Sequence, residues 1–285
     1  MPLFTTHKML LDARKNSYAV AAFNCENTEM IQAVIAAGEE MDAPVIIQTT
    51  PTTVNYASLD LFVASAAALA RDANIPVALH LDHGNTYELA EAALLAGYTS
   101  IMIDGSHLPF EENIAITKMT VDTCAAEGIP VEGELGRVGG KEDDTAAAGC
   151  IYTDPEEALK FIKETGVSSL AVGVGTAHGV YASKPLLNTE LISVLKDILP
   201  VPLVLHGSSG LDDAVIQDCI KRGISKVNIA TDLRFAYTQA VRDFLKQDPD
   251  CFDPKKYGAA ALQAVKKNAI NRIIICGCQG RANIS

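Results

Sequence analysis

No run of about 18 apolar residues occurs in this sequence, so nothing in it has the length of a membrane-spanning helix. It also lacks an excess of positive charge. Lys and Arg number 23 against 35 Asp and Glu, for a formal net charge of -12. That balance excludes a broad basic surface for nucleic acid. It leaves room for a local cationic pocket that takes an anionic metabolite. The first residues, MPLFTTHKML, lack the charged and apolar regions of a secretory signal. Seven cysteines, an odd number in a chain of 285 residues, point to reduced thiols and a cytoplasmic protein. The CGC at 276–278 is too tightly spaced for the usual zinc pair, and no histidine follows it; it reads as a C-terminal turn with free thiols. Low-complexity segments and Pro/Gly/Ser linkers are missing too. One domain over residues 1–285 is the expectation.

What is present is a single alternation. Short apolar runs at 19–24, 45–50, 77–82, 100–105, 131–136, 168–175, 201–207 and 224–231 have the length and composition of strands. Stretches of helical period lie between them, at 28–41, 86–96, 113–127, 154–165, 188–198, 211–222 and 231–246. Asn27 or Thr28 is the expected cap of the first of these. Proline turns (DAPV, NIPV, GIPV, LPVP) stop helices and feed the next strand. Eight strands alternating with helices predict an α/β fold of the (β/α)8 TIM-barrel type. The remainder fits an N-terminal lead-in helix near residues 5–15 and a helical C-terminal extension past 250. The competing open, doubly wound sheet would carry a Gly-rich fingerprint after its first strand, and FNCENTEM is no such fingerprint.

In such a barrel, chemistry sits at the C-terminal ends of strands. The expected ends carry Asn24, Thr49 and Thr50, Asp82 and His83, Asp104, Glu132 and Glu134, His178, His206, and Asn228 to Thr231. Five of the six histidines lie in or just after strands; only His7 does not. Three imidazoles at one mouth, His83, His178 and His206, match a catalytic zinc site with an open position. Asp104 and Glu134 are candidates for orienting groups or alternative ligands. His80 shares a strand face with Asp82 and reads as a hydrogen-bonding barrel residue. Asp82 reads as an orienting group or an acid–base. His107 follows the fourth strand, where a ligand-contacting and a capping role remain open. HGSSG and NIAT fall after strands seven and eight, the usual phosphate positions of a barrel. The stretch 136–150, GRVGGKEDDTAAAGC, has the length and glycine content of a mobile lid, with Glu142 or a neighbouring aspartate as an acid–base it would deliver. No expected strand ends in lysine. A Schiff-base mechanism is therefore disfavoured against metal polarisation.

Six blocks, LHLDHG, IMIDGSHLPFEEN, VEGELGRVGGKEDD, AVGVGTAHGVYASKP, PLVLHGSSGL and KVNIATDLR, together resemble the class II, zinc-dependent ketose-bisphosphate aldolases. Within that family the likeness is to the tagatose-bisphosphate branch, and it extends over essentially the whole chain. The resemblance implies a lyase that cleaves a ketose phosphate to dihydroxyacetone phosphate and an aldehyde such as glyceraldehyde 3-phosphate. It implies that His83, His178 and His206 hold one catalytic Zn2+, with Asp104 and Glu134 near alternative metal positions. By the same match Asp82 is the proton donor to the aldehyde oxygen, and Glu142 the lid carboxylate that moves the enolising proton. Asn24, Gly179, Gly207, Ser208, Ser209, Asn228, Ile229, Ala230 and Thr231 then contact substrate. A monovalent cation near the phosphate and a homodimer or homotetramer, with room for an accessory subunit, belong to the same expectation.

Two departures bear on the substrate. Ala230 stands where the fructose-bisphosphate branch carries an aspartate, and Leu262 where a basic residue meets the distal phosphate. Arg234 is then the expected distal cation, with Lys184 and Lys256 as substitutes for the second cation that Leu262 replaces. A ketose 1-phosphate aldolase with loose aldehyde specificity is the alternative reading. A non-catalytic barrel subunit would be expected to lose ligands, and this chain keeps them. A zinc hydrolase would want a histidine pair on strand one, and AFNCEN offers none.

Overall fold

Parallel strands cannot be joined by a tight turn, so each apolar run here needs a crossover element before the next. The computed structural model describes residues 3–142, 145–147, 149–179, 185 and 187–284, with the side chains of 141–148 excluded. Its strands are β1 (Val20–Asn24), β2 (Val45–Thr49), β3 (Val77–Gly84), β4 (Ser100–Ile103), β5 (Val131–Leu135), β6 (Gly139–Glu142) and β7 (Thr145–Ala147). They continue with β8 (Ser169–Val172), β9 (Ala177–His178), β10 (Leu203–Leu205) and β11 (Ile224–Ile229). Eight of them close a parallel barrel in the order β1-β11-β10-β8-β5-β4-β3-β2. Closure is made by β1 on β11, with Val20 opposite Lys226 and Phe23 opposite Ile229. The fold is the expected (β/α)8 barrel.

The helices are α1 (Thr6–Asn16), α2 (Thr28–Met41), α3 (Pro51–Ala57), α4 (Leu59–Ala70), α5 (Tyr87–Ala96) and α6 (Phe110–Ala125). They continue with α7 (Pro155–Thr165), α8 (Thr189–Ile198), α9 (Asp213–Arg222), α10 (Thr231–Gln247) and α11 (Pro254–Cys276). α1 is the lead-in helix. Its first residue, Thr6, sets its Oγ1 2.8 Å from Ser100 Oγ under the barrel. α11 is the C-terminal extension and packs on α2 and α10. Asn27, not Thr28, caps α2 by accepting from the Met30 N–H at 3.0 Å. Cys276 and Cys278 are buried free thiols around the C-cap of α11. Among the described residues no single helix is long and apolar enough to cross a membrane.

Two features were not expected from the sequence. The segment 51–70 forms α3 and α4, bent by 89° where Ser58 sits at φ 75°. That break interrupts the helical period, and the alanine-rich stretch beyond it has little apolar contrast between faces. The stretch 136–150 holds β6 and β7, two strands of a small sheet in the order β7-β6-β9. Its glycines and charges read as loop, and the pairing partner β9 is distant in sequence.

The barrel's inside departs from the usual stacked aliphatic layers. Gln48, His80, Glu132 and Lys226 are all buried there, at 2% exposure or less. Apolar packing lies mainly between strands and helices, and the barrel strands are buried along their length except at His83 of β3.

Candidate active site

Adjacent residues on a strand face opposite ways, so Asp82 and His83 cannot both reach the mouth from a regular β3. β3 is not regular. Its ladder with β4 shifts register between Leu81 and Gly84. His83 has φ 49°, in the left-handed region that costs a side-chain-bearing residue about 1 to 2 kcal/mol. A bulge of this kind re-aims a side chain. It turns the His83 ring toward the other histidines while Asp82 still points into the barrel.

His83, His178 and His206 each offer a ring nitrogen to one cluster, with these atoms all within 4.8 Å of one another. Their rings are edge-on, with centroids 5.1, 4.6 and 5.9 Å apart. His83 Nε2 lies 2.9 Å from His206 Nδ1. The far nitrogens of these two rings face carboxylates: His83 Nδ1 is 2.8 Å from Asp104 Oδ2, and His206 Nε2 is 3.1 Å from Glu132 Oε1. Carboxylates accept, so the far nitrogens carry the protons and the near ones present lone pairs. Lone pairs facing each other at that distance suit a shared cation. The donor set therefore fits a zinc ion, whose bonds to imidazole run about 2.0 to 2.1 Å. In a second group, His83, Asp104 and Glu134, the ligand atoms likewise lie within 4.8 Å of one another. Glu134 Oε2 lies 3.6 Å from His206 Nδ1 and 4.0 Å from His83 Nδ1.

His178 is placed by backbone. β9 pairs with β6, with Gly140 opposite His178. A Cβ at Gly140 would collide with the His178 backbone oxygen and nitrogen, and one at Gly207 would sit 2.6 Å from the Ala177 oxygen. Both glycines have positive φ, 88° and 65°. β9 is thus seated between two positions that admit no side chain.

Asp82 is fully buried and held from two sides. Asn24 Nδ2 donates to its Oδ2 at 2.7 Å, and Asn228 Nδ2 donates to its Oδ1 at 3.0 Å. Gln48 Nε2 fixes Asn24 by donating to its Oδ1 at 2.9 Å. A carboxylate gripped by two amide donors is rigid, and it stands one residue from His83.

Beneath this lies a buried ionic group. Lys226 Nζ donates to Glu132 Oε2 at 2.9 Å and Oε1 at 3.2 Å, and to His80 Nε2 at 3.5 Å. His80 Nδ1 then donates to Ser100 Oγ at 2.7 Å. Burial opposes charge on Glu132, yet Lys226 and His206 hold it well below the usual carboxylate range. Burial and Lys226 push His80 well below its usual value, so it stays neutral. Burial likewise lowers His206. Asp104 is opposed by burial too, but His83 and Ser106 hold it well below its usual range. Lys226→Ala would strand the Glu132 charge inside the barrel. It is expected to cost about 3 to 5 kcal/mol in denaturant unfolding. Replacing the pair together, Lys226→Met with Glu132→Gln, should recover much of that loss.

Small residues make the adjoining pocket. Gly179, Gly207, Ser208 and Ser209 line one wall; Asn228, Ala230 and Thr231 line another, with Asn24 and His178 toward the histidine cluster. Ile229 is buried in β11 behind them. Ser208 Oγ donates to the Asn228 carbonyl at 2.5 Å, tying the two loops together. The 17-residue helix α10 starts at Thr231 and points its N-terminus here. Arg234, expected at the far end of a substrate, also borders this pocket, on the side of Asn24, where its Nε is taken by Glu26.

Of the remaining expected residues, Glu142 ends β6, but its side chain lies outside the described residues, as does Lys184. His107 is exposed and Lys256 is exposed at the start of α11. Glu132 was legible only as a strand end, and Gln48 and Lys226 not at all as site residues. The available signal was alternation: Lys226 lies two residues before Asn228, on one strand face.

A (β/α)8 barrel whose mouth gathers three imidazoles, buried carboxylates and a small-residue anion pocket has the make-up of a metal-assisted barrel enzyme. The chain belongs to the class II fructose-bisphosphate aldolase family, whose model matches residues 4–281. It is similar to the YdjI aldolase from Escherichia coli K12, at 39% identity and TM-score 0.87, covering 99% of this chain and 100% of that one. A structure from Coccidioides immitis is similar at 30% identity and TM-score 0.89, covering 97% of both chains. A fructose-bisphosphate aldolase from Campylobacter jejuni, at 23% identity and TM-score 0.84 over 98% of this chain and 97% of that one, shares the fold.

Proposed function

We propose that this protein is a zinc-dependent aldolase that cleaves a ketose phosphate reversibly to dihydroxyacetone phosphate and an aldehyde. The observation that carries the reading is the rigid Asp82 carboxylate beside three converging imidazoles and a pocket fit for phosphate. The family and the similarity to an aldolase support it. His83, His178 and His206 would hold the zinc, with Asp104 and Glu134 placed for alternative metal positions. A bound zinc ion supplies Lewis acidity toward the substrate's ketone and neighbouring hydroxyl.

The chain's own residues do the rest. The near phosphate takes hydrogen bonds from the Ser209 and Thr231 hydroxyls and from backbone N–H groups at Gly179, Gly207, Ser208 and the start of α10. Asp82 removes the proton from the hydroxyl that becomes the aldehyde oxygen. The carbon–carbon bond then breaks and its electron pair stays with the ketone half. Glu142 returns a proton to that carbon. Condensation runs the same steps backward, with Asp82 as the acid. Glu132 and Asp104 keep two rings in the tautomer that presents a lone pair. The protein works as one domain over residues 1–285, in the cytoplasm, as a homodimer or homotetramer. Among the described residues no group argues for a monovalent cation near the phosphate.

The test is a retro-aldol screen over ketose 1-phosphates and 1,6-bisphosphates in the tagatose and fructose configurations. Dihydroxyacetone phosphate is the expected common product. Its absence from every member of the panel would contradict the reading.

A further inference from the structure

Beyond Asn24, on the side of the mouth formed by β1, β2 and α10, stands a second polar group. Arg234 Nε donates to Glu26 Oε1 at 2.6 Å. Thr53 Oγ1 donates to the other oxygen, Oε2, at 2.5 Å. Thr50 Oγ1 lies 3.1 Å from Thr53 Oγ1 and 3.3 Å from Thr52 Oγ1. The pair reaches solvent, with Glu26 30% and Arg234 37% exposed. This wall thus presents a guanidinium already matched by a carboxylate, with the half-buried Thr52 beside it and Thr50 and Thr53 buried behind.

The aldehyde half of a substrate belongs on this side. Asp82, the group that exchanges a proton with the aldehyde oxygen, is bonded on one side to Asn228 of β11, in the near-phosphate pocket, and on the other to Asn24 of β1 and through it to Gln48 of β2. With the near phosphate held by Gly207 to Ser209 and Thr231, the carbon chain beyond that oxygen runs the other way, past Asn24 toward Glu26 and the threonines. A phosphate there would want two or more cations. Arg234 is one, and it is neutralised. Leu262, at the second expected position, packs against the apolar core. A dianion would also meet the Glu26 charge, and like charges a few ångströms apart repel.

We infer that Glu26 determines specificity at the far end of the substrate. It holds Arg234 as a neutral pair, and so selects a hydroxylated, uncharged tail over a phosphorylated one. The substrate class is then a ketose 1-phosphate. This rests on the aldolase reading, and Glu26 acts on recognition rather than on the bond that breaks.

The experiment compares kcat/KM for matched 1-phosphate and 1,6-bisphosphate ketoses in the wild type, Glu26→Gln and Thr53→Val, on the metal-loaded protein. The wild type should prefer the 1-phosphate by about tenfold or more. Glu26→Gln removes the charge and keeps the shape. It should raise the bisphosphate-to-monophosphate ratio by about tenfold, the value of roughly 1.4 kcal/mol, with the gain in KM rather than kcat. Thr53→Val removes a neutral donor and leaves the Glu26 charge, so it should not raise the ratio. A wild-type preference for the bisphosphate, or an unmoved ratio in Glu26→Gln, would overturn the inference while leaving the aldolase reading intact. No cleavage of either class by the wild type would instead bring down the aldolase reading, and the inference with it.

Discussion

Asp82→Ala is expected to keep its zinc and lose about 10²- to 10⁴-fold in turnover, the range of a positioned acid–base. The argument is geometric. Both Asp82 oxygens are taken by amide donors, from Asn24 at 2.7 Å and Asn228 at 3.0 Å, while the imidazole nitrogens converge on one another. Two of the triad have other carboxylates to orient them: His83 is held by Asp104 and His206 by Glu132. Metal stoichiometry and single-turnover cleavage measured on one preparation separate the roles. If Asp82→Ala loses metal as fully as His83→Ala, the carboxylate is a ligand and the assignment fails. Asn24→Ala and Asn228→Ala should each reproduce part of the defect, because each leaves the carboxylate held from one side.

The second large effect lies with the imidazoles. His83→Ala, His178→Ala and His206→Ala should each deplete zinc and lower cleavage by about 10³-fold or more, since Lewis-acid stabilisation is worth several kcal/mol. Their environments predict different secondary effects. His206 is fully buried against Glu132, so its removal takes one hydrogen-bond partner from that buried carboxylate and should also lower stability. His178 sits in β9, held by backbone pairing to β6, so His178→Ala should unfold at nearly the wild-type denaturant concentration. Equal losses of stability in the two variants would contradict this difference.

The legibility of this protein in its sequence follows physical lines. The eight barrel strands appear where apolar runs and proline turns place them, because parallel strands are buried on both faces and leave a continuous apolar signal. α3 and α4 were silent because Ser58 breaks the period between two short pieces. The three histidines were conspicuous as ionisable groups at strand ends. The bulge that lets Asp82 and His83 act from adjacent positions leaves no mark in composition; it is a register shift between β3 and β4. The Lys226–Glu132–His80 group joins β11, β5 and β3 across the barrel, and sequence carries no distance between residues so far apart. Arg234 was legible as a cation, but its partner Glu26 lies 208 positions away. Pairing, rather than residue type, decides what Arg234 offers a substrate.

The central claim is that the three imidazoles serve carbon–carbon cleavage by holding a metal. Its most direct measurement is dihydroxyacetone phosphate release from a ketose 1-phosphate by the wild-type protein, before chelation, after chelation, and after zinc is returned. The account predicts loss of release on chelation and recovery at one zinc per chain. Full release from the metal-free protein would contradict it.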